Sequence, residues 1–212
     1  MAANDGTRDR LLLAARRLVA ARGVDGVAVR DILKAADVRN GGAIHYYFGT
    51  KEDLLRELLA MGAQVIDERR LSLLEAAQRE LRPLPLENVM SILVHSAIAV
   101  SKSPRGEDSY MRFAQRVRDT HPTLYDQAVQ GRWDRGYRKA AELMGSLLPP
   151  LGQCEISERL MLVMEFLNTS LARREAFLVD GVGDARWASP QMPETLIQVT
   201  VRMLQAPPLS SV

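Results

Sequence analysis

The sequence predicts an all-α protein, and three observations support that prediction. Leu, Ala, Met, Arg and Glu, which favour helices, are abundant, whereas only 5% of the 212 residues are aromatic. Apolar residues recur at helical spacing along most of the chain. No segment alternates apolar and polar residues over the length of a strand, so a β-sheet is not expected.

Three helices are expected in the first fifty residues. The first covers 7–22, followed by Gly23 in a left-handed conformation. The second covers about 29–36 and the third about 42–47, with a tight turn at 37–41 that is rich in Asp, Asn and Gly. This arrangement is typical of a helix-turn-helix, although the end of a plain three-helix bundle gives the same pattern.

The rest of the chain is also predicted to be helical. Thr50 to Asp53 resembles a capping box, with Asp in place of the usual Glu, and it opens a helix that runs towards Pro83. Proline- and glycine-containing breaks then separate the further expected helices, which cover 86–101, 108–119, 123–148, 157–179 and 193–205.

Composition and charge limit the possible classes of protein. No apolar run approaches the roughly 18 residues of a membrane-spanning helix, and the N-terminus does not resemble a signal peptide. The single cysteine, Cys154, fits a reducing compartment, so a cytoplasmic protein without a membrane partner is expected. Residues 1–60 hold ten Lys and Arg against eight Asp and Glu. That excess is too small to indicate nucleic-acid binding by itself.

No catalytic, cofactor or metal site is expected. The histidines His45, His95 and His121, together with Cys154, lack the spacing of metal ligands. The sequence contains no glycine-rich phosphate loop, no nucleophile elbow and no paired-carboxylate motif. An enzyme is therefore not expected.

Two runs of residues resemble a known family. Residues 29–38 read VRDILKAADV and residues 43–54 read AIHYYFGTKEDL. They resemble the DNA-binding domain of TetR-family regulators, and the resemblance is specific over residues 7–60. Its most diagnostic part is the aromatic string that begins at His45 and is followed by Lys51 and Leu54.

The resemblance implies the domain organisation. Residues 1–50 are expected to form a three-helix, helix-turn-helix DNA-binding domain, completed by the first turn of the next helix at 51–57. Residues 51–212 are expected to form a larger helical domain for ligand binding and dimerisation.

The resemblance also implies which residues contact DNA. Arg30 matches a position that can reach a guanine edge, and Lys51 matches a lysine that contacts phosphate. The small residues at 41–43 allow close approach to the groove and direct backbone amides at a phosphate. The full predicted set is Arg30, Arg39, Asn40, Gly41, Gly42, Ala43, His45, Tyr46, Tyr47 and Lys51, whereas Ile44 and Phe48 are expected to pack inside.

Three positions depart from the family pattern. Ala28 and Val29 stand where the family often has a capping Thr or Ser. His45 replaces the usual first tyrosine of the aromatic pair. The stretch 38–48 is one residue longer than the commonest pattern, which leaves the register of the recognition helix open by one position.

For the C-terminal part, the resemblance implies a pocket for a small apolar or amphipathic effector and an interface between copies of the chain. The predicted pocket residues, each of which could equally be an ordinary core residue, are Met90, Val94, His95, Ile98, Tyr110, Phe113, Val117, Trp133, Tyr137 and Met164. The predicted dimer-interface residues, on the last two long helices, are Leu160, Met164, Leu167, Leu171, Ile197, Val201 and Leu204.

The expected function is a TetR-like homodimeric repressor that binds a near-palindromic operator in duplex DNA and is released by its effector. An activator or a ligand-independent regulator is the alternative within the DNA-binding class. A helical carrier or scaffold without DNA binding is the alternative from another class. A gel shift with the DNA upstream of its own gene separates the binder from the scaffold.

Overall fold

The structure, a computed structural model, describes residues 2–81, 83–100, 109–148 and 151–208. In these ranges it contains ten α-helices, one 3-10 turn at Ala185–Ala188 and no strand, which confirms the all-α prediction. The helices are α1 (Ala2–Arg22), α2 (Val29–Ala35), α3 (Ala43–Phe48), α4 (Lys51–Glu80), α5 (Leu86–Val100), α6 (Tyr110–Thr120), α7 (Pro122–Val129), α8 (Arg135–Leu147), α9 (Gln153–Asp180) and α10 (Met192–Leu204).

The predicted helices agree with these bounds to within about two residues except in three places, one of which is the start of α9 at Gln153, four residues before the predicted 157. The first helix begins five residues earlier than predicted, at Ala2, and ends as expected before Gly23, whose φ is 78°. The single helix predicted over 123–148 is two helices, because the chain turns at Gly131 (φ 72°) between α7 and α8. No helix among the described residues is long and apolar enough to cross a membrane.

The chain forms two compact units. The first unit contains α1, α2, α3, α4 as far as Val65, α6 and α7. The second unit contains α4 from Ile66, α5 as far as Ala99, α8, α9 and α10. This division differs from the predicted boundary after residue 50, because α4 runs on without a break and α6 packs on α1.

The first unit is built around α1, which packs against both α2 and α6. Its core includes the fully buried residues Leu11, Ala15, Val19, Ile32, Leu54, Leu55, Leu59, Phe113 and Val117. Gly62 allows α6 to approach α4 closely, since a Cβ there would lie 2.1 Å from the ring of Tyr110. The Tyr110 hydroxyl donates to the carbonyl oxygen of Leu59 at 2.8 Å, so its buried polar atom is satisfied.

In the second unit α9 and α10 pack against each other and against the 3-10 turn. Arg159 on α9 fastens the end of α10. Its guanidinium donates to the carbonyl oxygens of Leu204 at 2.9 Å and Pro207 at 2.9 Å, and also to that of Ala206. Because the last carbonyls of a helix lack partners within the helix, Arg159 serves as a cap supplied by another element.

A buried carboxylate caps α8 in the same way. Oδ1 of Asp67, on α4, accepts a hydrogen bond from the amide of Gly136 at 2.6 Å, and Oδ2 lies 3.5 Å from Nε of Arg135. The Gly136 amide is one of the first donors of α8, which the helix cannot satisfy, and the side chain of Asp134 makes no capping bond. Asp67 therefore holds the start of α8 on α4.

We expect Asp67→Ala to lower the free energy of unfolding by about 2–3 kcal/mol, because it leaves a buried amide without an acceptor. Urea unfolding followed by circular dichroism measures the change. Glu142→Ala is the control, since Glu142 is exposed on α8 and its removal should change stability by less than about 0.5 kcal/mol. Equal stability of the two variants would show that Asp67 does not hold α8.

Candidate nucleic-acid interface

The helix-turn-helix consists of α2, the turn 36–42 and α3. Ile32 of α2 and Ile44 of α3 are buried, which confirms the packing expected for Ile44. The turn passes through Asp37, which has a φ of 51°, a conformation that Asp tolerates better than most residues. Asn40 then closes the turn, because its side-chain oxygen accepts the Gly42 amide at 3.0 Å.

The start of α3 differs from the prediction in its backbone. The amides at 41–43 were expected to face a phosphate. In the structure the Gly42 amide is bonded to the Asn40 side chain, and the Ala43 amide donates to the Asn40 carbonyl at 3.1 Å. These two donors are satisfied within the chain, so they are not free to bind a phosphate as predicted.

The predicted DNA-contacting residues differ in how exposed they are to solvent. Those whose side chains or backbone are exposed are Arg30, Arg39, Asn40, Gly41, Gly42, His45 and Tyr46. Tyr46 is 72% exposed, which is unusual for so large an apolar ring and leaves its face available to a partner. Ala43 is buried, so its side chain packs against the unit's core.

Two aromatic neighbours and His45 stabilise α3. The rings of Tyr46 and Tyr47 meet edge to face with centroids 4.9 Å apart, which fixes the exposed ring against the half-buried one. Nδ1 of His45 lies 3.0 Å from the carbonyl oxygen of Gly49, at the end of the helix. The His45 ring is thus engaged with its own helix end, although it is exposed.

The Lys51 ammonium, predicted to contact a phosphate, is engaged in hydrogen bonds within the chain. Its half-buried ammonium donates to the carbonyl oxygens of Val24 at 2.7 Å and Val27 at 2.6 Å. Both carbonyls belong to the loop between α1 and α2. Lys51 therefore links the start of α4 to the loop that leads into α2.

The predicted capping box at the start of α4 is present. The Asp53 amide donates to the Thr50 hydroxyl at 3.0 Å, and that hydroxyl donates to the Asp53 carboxylate at 2.6 Å. The Thr50 hydroxyl lowers the pKa of Asp53, with a further contribution from Arg56 that desolvation opposes. The box therefore keeps a carboxylate at the positive end of the helix dipole.

The missing Thr or Ser at the start of α2 has a partial substitute. Ala28 has no side-chain acceptor for the helix amides. Instead, Oδ2 of Asp31 accepts the Ala28 amide at 2.9 Å, which is half of a capping box. The first turn of α2 is thereby fixed without a hydroxyl, and Arg30 lies within that turn, exposed.

Two residues that the sequence analysis missed lie beside this surface. An open cleft of about 440 Å³ is lined by Thr7 and Arg10 of α1 together with Asp37, Val38, Arg39, Asn40, Ala43, Tyr46 and Tyr47. No local motif marks Thr7 and Arg10, because only the packing of α1 brings them to residues thirty positions later.

The predicted effector-pocket residues divide between the two units. In the first unit Tyr110, Phe113 and Val117 are buried in the core, and the Tyr110 hydroxyl is bonded to Leu59. These three residues lie in the core of the first unit. Trp133 is half-buried, and its indole N–H has no hydrogen-bond partner among the described residues.

In the second unit the predicted pocket residues have different surroundings. Met90 and Val94 are fully buried, whereas Ile98 and Met164 are partly exposed. His95 is half-exposed, with Nε2 3.4 Å from a Glu194 carboxylate oxygen, so it lies at the surface of the unit. Burial raises the pKa of the Tyr137 phenol, and the charge of Arg70 partly opposes that shift.

The predicted interface role of four residues is wrong, because these residues are buried within the single chain. Leu167, Leu171, Ile197 and Leu204 are buried within the chain itself, where α9 and α10 meet. Helical periodicity identified an apolar face correctly but could not show that the chain covers that face itself. Leu160, Met164 and Val201 are partly exposed. The large apolar side chains that remain exposed on these two helices are Met161, Leu162, Phe166, Leu178, Val179 and Val199.

Metal ligands do not cluster in the described part of the chain. Within it, no three His, Cys, Asp or Glu side chains come together in an arrangement that could hold a metal ion.

One sequence profile and several solved structures match this chain. Residues 11–58 match the sequence profile described as bacterial regulatory proteins, tetR family. No curated relative matches the sequence. Several solved structures share the fold, and three of them show the extent of the similarity.

A TetR family transcriptional regulator, PfmR from Thermus thermophilus, has a TM-score of 0.61 at 15% identity, covering 96% of this chain and 98% of its own. A regulatory protein in the tetR family from Rhodococcus RHA1 has a TM-score of 0.64 at 14% identity, covering 95% and 98%. The fatty acid degradation regulator FadR from Bacillus halodurans has a TM-score of 0.60 at 18% identity, covering 92% and 94%.

The profile match covers the helix-turn-helix described above, and the similarity of fold extends over nearly the whole chain. The sequence match to the tetR family therefore covers residues 11–58, and over nearly the whole chain the similarity to these solved structures is one of fold.

Proposed function

We propose that the protein is a homodimeric transcriptional repressor that binds a near-palindromic operator through the surface formed by α2, the turn and α3. The observation that supports this most directly is the pair of exposed guanidiniums Arg30 and Arg39, which make no ion pair among the described residues. Charged groups without an internal partner, on a helix-turn-helix beside the exposed ring of Tyr46, suit the grooves and phosphates of duplex DNA.

The proposed roles follow from the hydrogen-bonding groups of each side chain that are not engaged within the chain. Arg30 is the candidate for base reading, since a guanidinium can bond to N7 and O6 of guanine together. Arg39, Asn40 and Tyr46 are candidates for contacts at the edge of the groove. Lys51 is proposed as a positioning residue, because two of its ammonium protons are used on the loop before α2.

The dimer is proposed to form through the exposed apolar face of α9 and α10. Leu162 and Phe166 are four residues apart on α9 and therefore lie on one face, and they are 57% and 39% exposed. Val199 is exposed on α10, which packs against α9. Covering such a face by its own copy in a two-fold dimer removes these side chains from water and gives two DNA-binding units.

A small apolar or amphipathic effector is proposed to release the protein from DNA. The buried indole N–H of Trp133, without a partner among the described residues, supports a ligand that carries a hydrogen-bond acceptor. The proposal differs from the scaffold alternative in requiring that DNA and the effector exclude each other.

The test of the proposed function is Arg30→Ala on two duplexes, one with the sequence upstream of its own gene and one of scrambled sequence. We expect a loss of about 1–3 kcal/mol on the upstream duplex and almost none on the scrambled one. Fluorescence anisotropy titration measures both. If the unmodified protein binds the two duplexes equally weakly, the scaffold alternative replaces the regulator.

We expect Lys51→Ala to lower the free energy of unfolding by about 1–3 kcal/mol, since it removes two charge-assisted hydrogen bonds. The salt dependence of DNA binding should keep its slope. Lys34→Ala is the stability control, because the Lys34 side chain is exposed and makes no hydrogen bond or ion pair among the described residues. Unchanged stability with a slope reduced by about one would restore Lys51 to the phosphate contact implied by the family pattern.

We expect Phe166→Glu to give a folded monomer that no longer binds the upstream duplex, because a charge on the shared face opposes association. Light scattering and anisotropy on the same sample measure both effects. Gln153→Glu, an exposed position near the start of α9, should remain dimeric. Leu167→Glu, at a position only 1% exposed, should instead unfold the chain. A dimeric Phe166→Glu protein would exclude this face as the interface.

A further inference from the structure

The cleft beside the helix-turn-helix has a second wall, which belongs to α1. Thr7 and Arg10 of α1 line this wall, and Arg39 and Tyr46 line the other. The two walls are brought together inside the first unit, where α1 packs against α2. The cleft is open, so a ligand with an extended backbone can enter it along its length.

The charge of the cleft is positive. Arg10 and Arg39 contribute two guanidiniums, and Asp37 contributes the one carboxylate among its lining residues. Arg10 is exposed and makes no ion pair among the described residues. Arg8, two positions earlier, differs from it, because its guanidinium pairs with Glu57 and lies over the Phe48 ring. Of these two neighbouring arginines, Arg8 is therefore engaged in contacts within the chain, whereas the charge of Arg10 is available to a binding partner.

The hydroxyl of Thr7 accepts a hydrogen bond from the Arg10 guanidinium, which places the two groups side by side on this wall. Nη2 of Arg10 donates to Oγ1 of Thr7 at 3.3 Å, a long bond to a neutral acceptor. A hydroxyl that accepts one hydrogen bond can still donate its own proton. Thr7 and Arg10 therefore offer two kinds of donor on the same wall, and both suit the oxygens of a phosphodiester.

We infer that this cleft seats a phosphate of the DNA backbone, held by Arg10 and Thr7 from α1 and by Tyr46 from α3. This inference rests on the proposed function and adds α1 to the DNA-binding surface. A planar guanidinium forms two parallel bonds with phosphate oxygens, so a contact here fixes the orientation of the whole helix-turn-helix on the duplex. The contact carries no sequence information.

The experiment measures binding of the full chain and three variants to the upstream duplex and to a random-sequence duplex, between about 50 and 200 mM salt. Arg10→Ala should weaken binding similarly on both duplexes, by about tenfold at about 100 mM salt for each phosphate that is no longer held. The slope of log K against log salt should fall by about one per protomer. Arg10→Lys keeps the charge and should keep the slope, with weaker affinity. Arg116→Ala is the matched control, an exposed arginine of the same unit that does not line the cleft.

Two results would overturn the inference while leaving the proposed function intact. One is an unchanged slope in Arg10→Ala, and the other is a loss of affinity confined to the upstream duplex, which would make Arg10 a base contact. Failure of the unmodified protein to bind either duplex would overturn the proposed function and this inference together. Thermal melting shows whether Arg10→Ala is folded, and the exposure of Arg10 leads us to expect an unchanged melting temperature.

Discussion

The surface formed by α2, the turn and α3 depends on one polar contact, in which the Lys51 ammonium donates hydrogen bonds to two carbonyl oxygens of the loop before α2. The carbonyl oxygens of Val24 and Val27 both accept hydrogen bonds from Lys51, the first residue of α4. That contact fixes where α2 begins, and hence where Arg30 lies. The Thr50 and Asp53 capping box fixes the first turn of α4, so the lysine itself is held in place.

In the same unit, contacts made by α1 and α4 connect the helix-turn-helix to α6. Arg16, buried on α1, donates to Oγ of Ser109 at 3.3 Å, and Tyr110 at the start of α6 donates to Leu59 on α4. At the other end of α6, Nε2 of His121 lies 3.4 Å from the Asp25 carboxylate, in the loop that Lys51 also holds. Two sets of contacts therefore join α6 to the elements that position α2.

The helices were predictable because their apolar residues repeat at helical spacing and because Gly23 and Thr50 mark their ends. The roles of individual side chains were harder to predict. Helical periodicity identifies the apolar face of a helix but does not show which element covers that face. Leu167 and Ile197 lie on predicted interface faces and yet are covered by the chain itself. The carbonyl partners of Lys51 are 24 and 27 residues away, and the cleft joins Arg10 to Asn40, which only the packed fold brings together.

The central claim is that two copies of this surface bind one duplex at two sites related by two-fold symmetry. Hydroxyl-radical footprinting of the DNA upstream of its own gene tests it most directly. The account predicts two protected segments whose centres are about one helical turn, 10–10.5 base pairs, or a small multiple of it apart, with matching half-site sequences. Protection of a single segment, or none at protein concentrations that saturate random DNA, would contradict it.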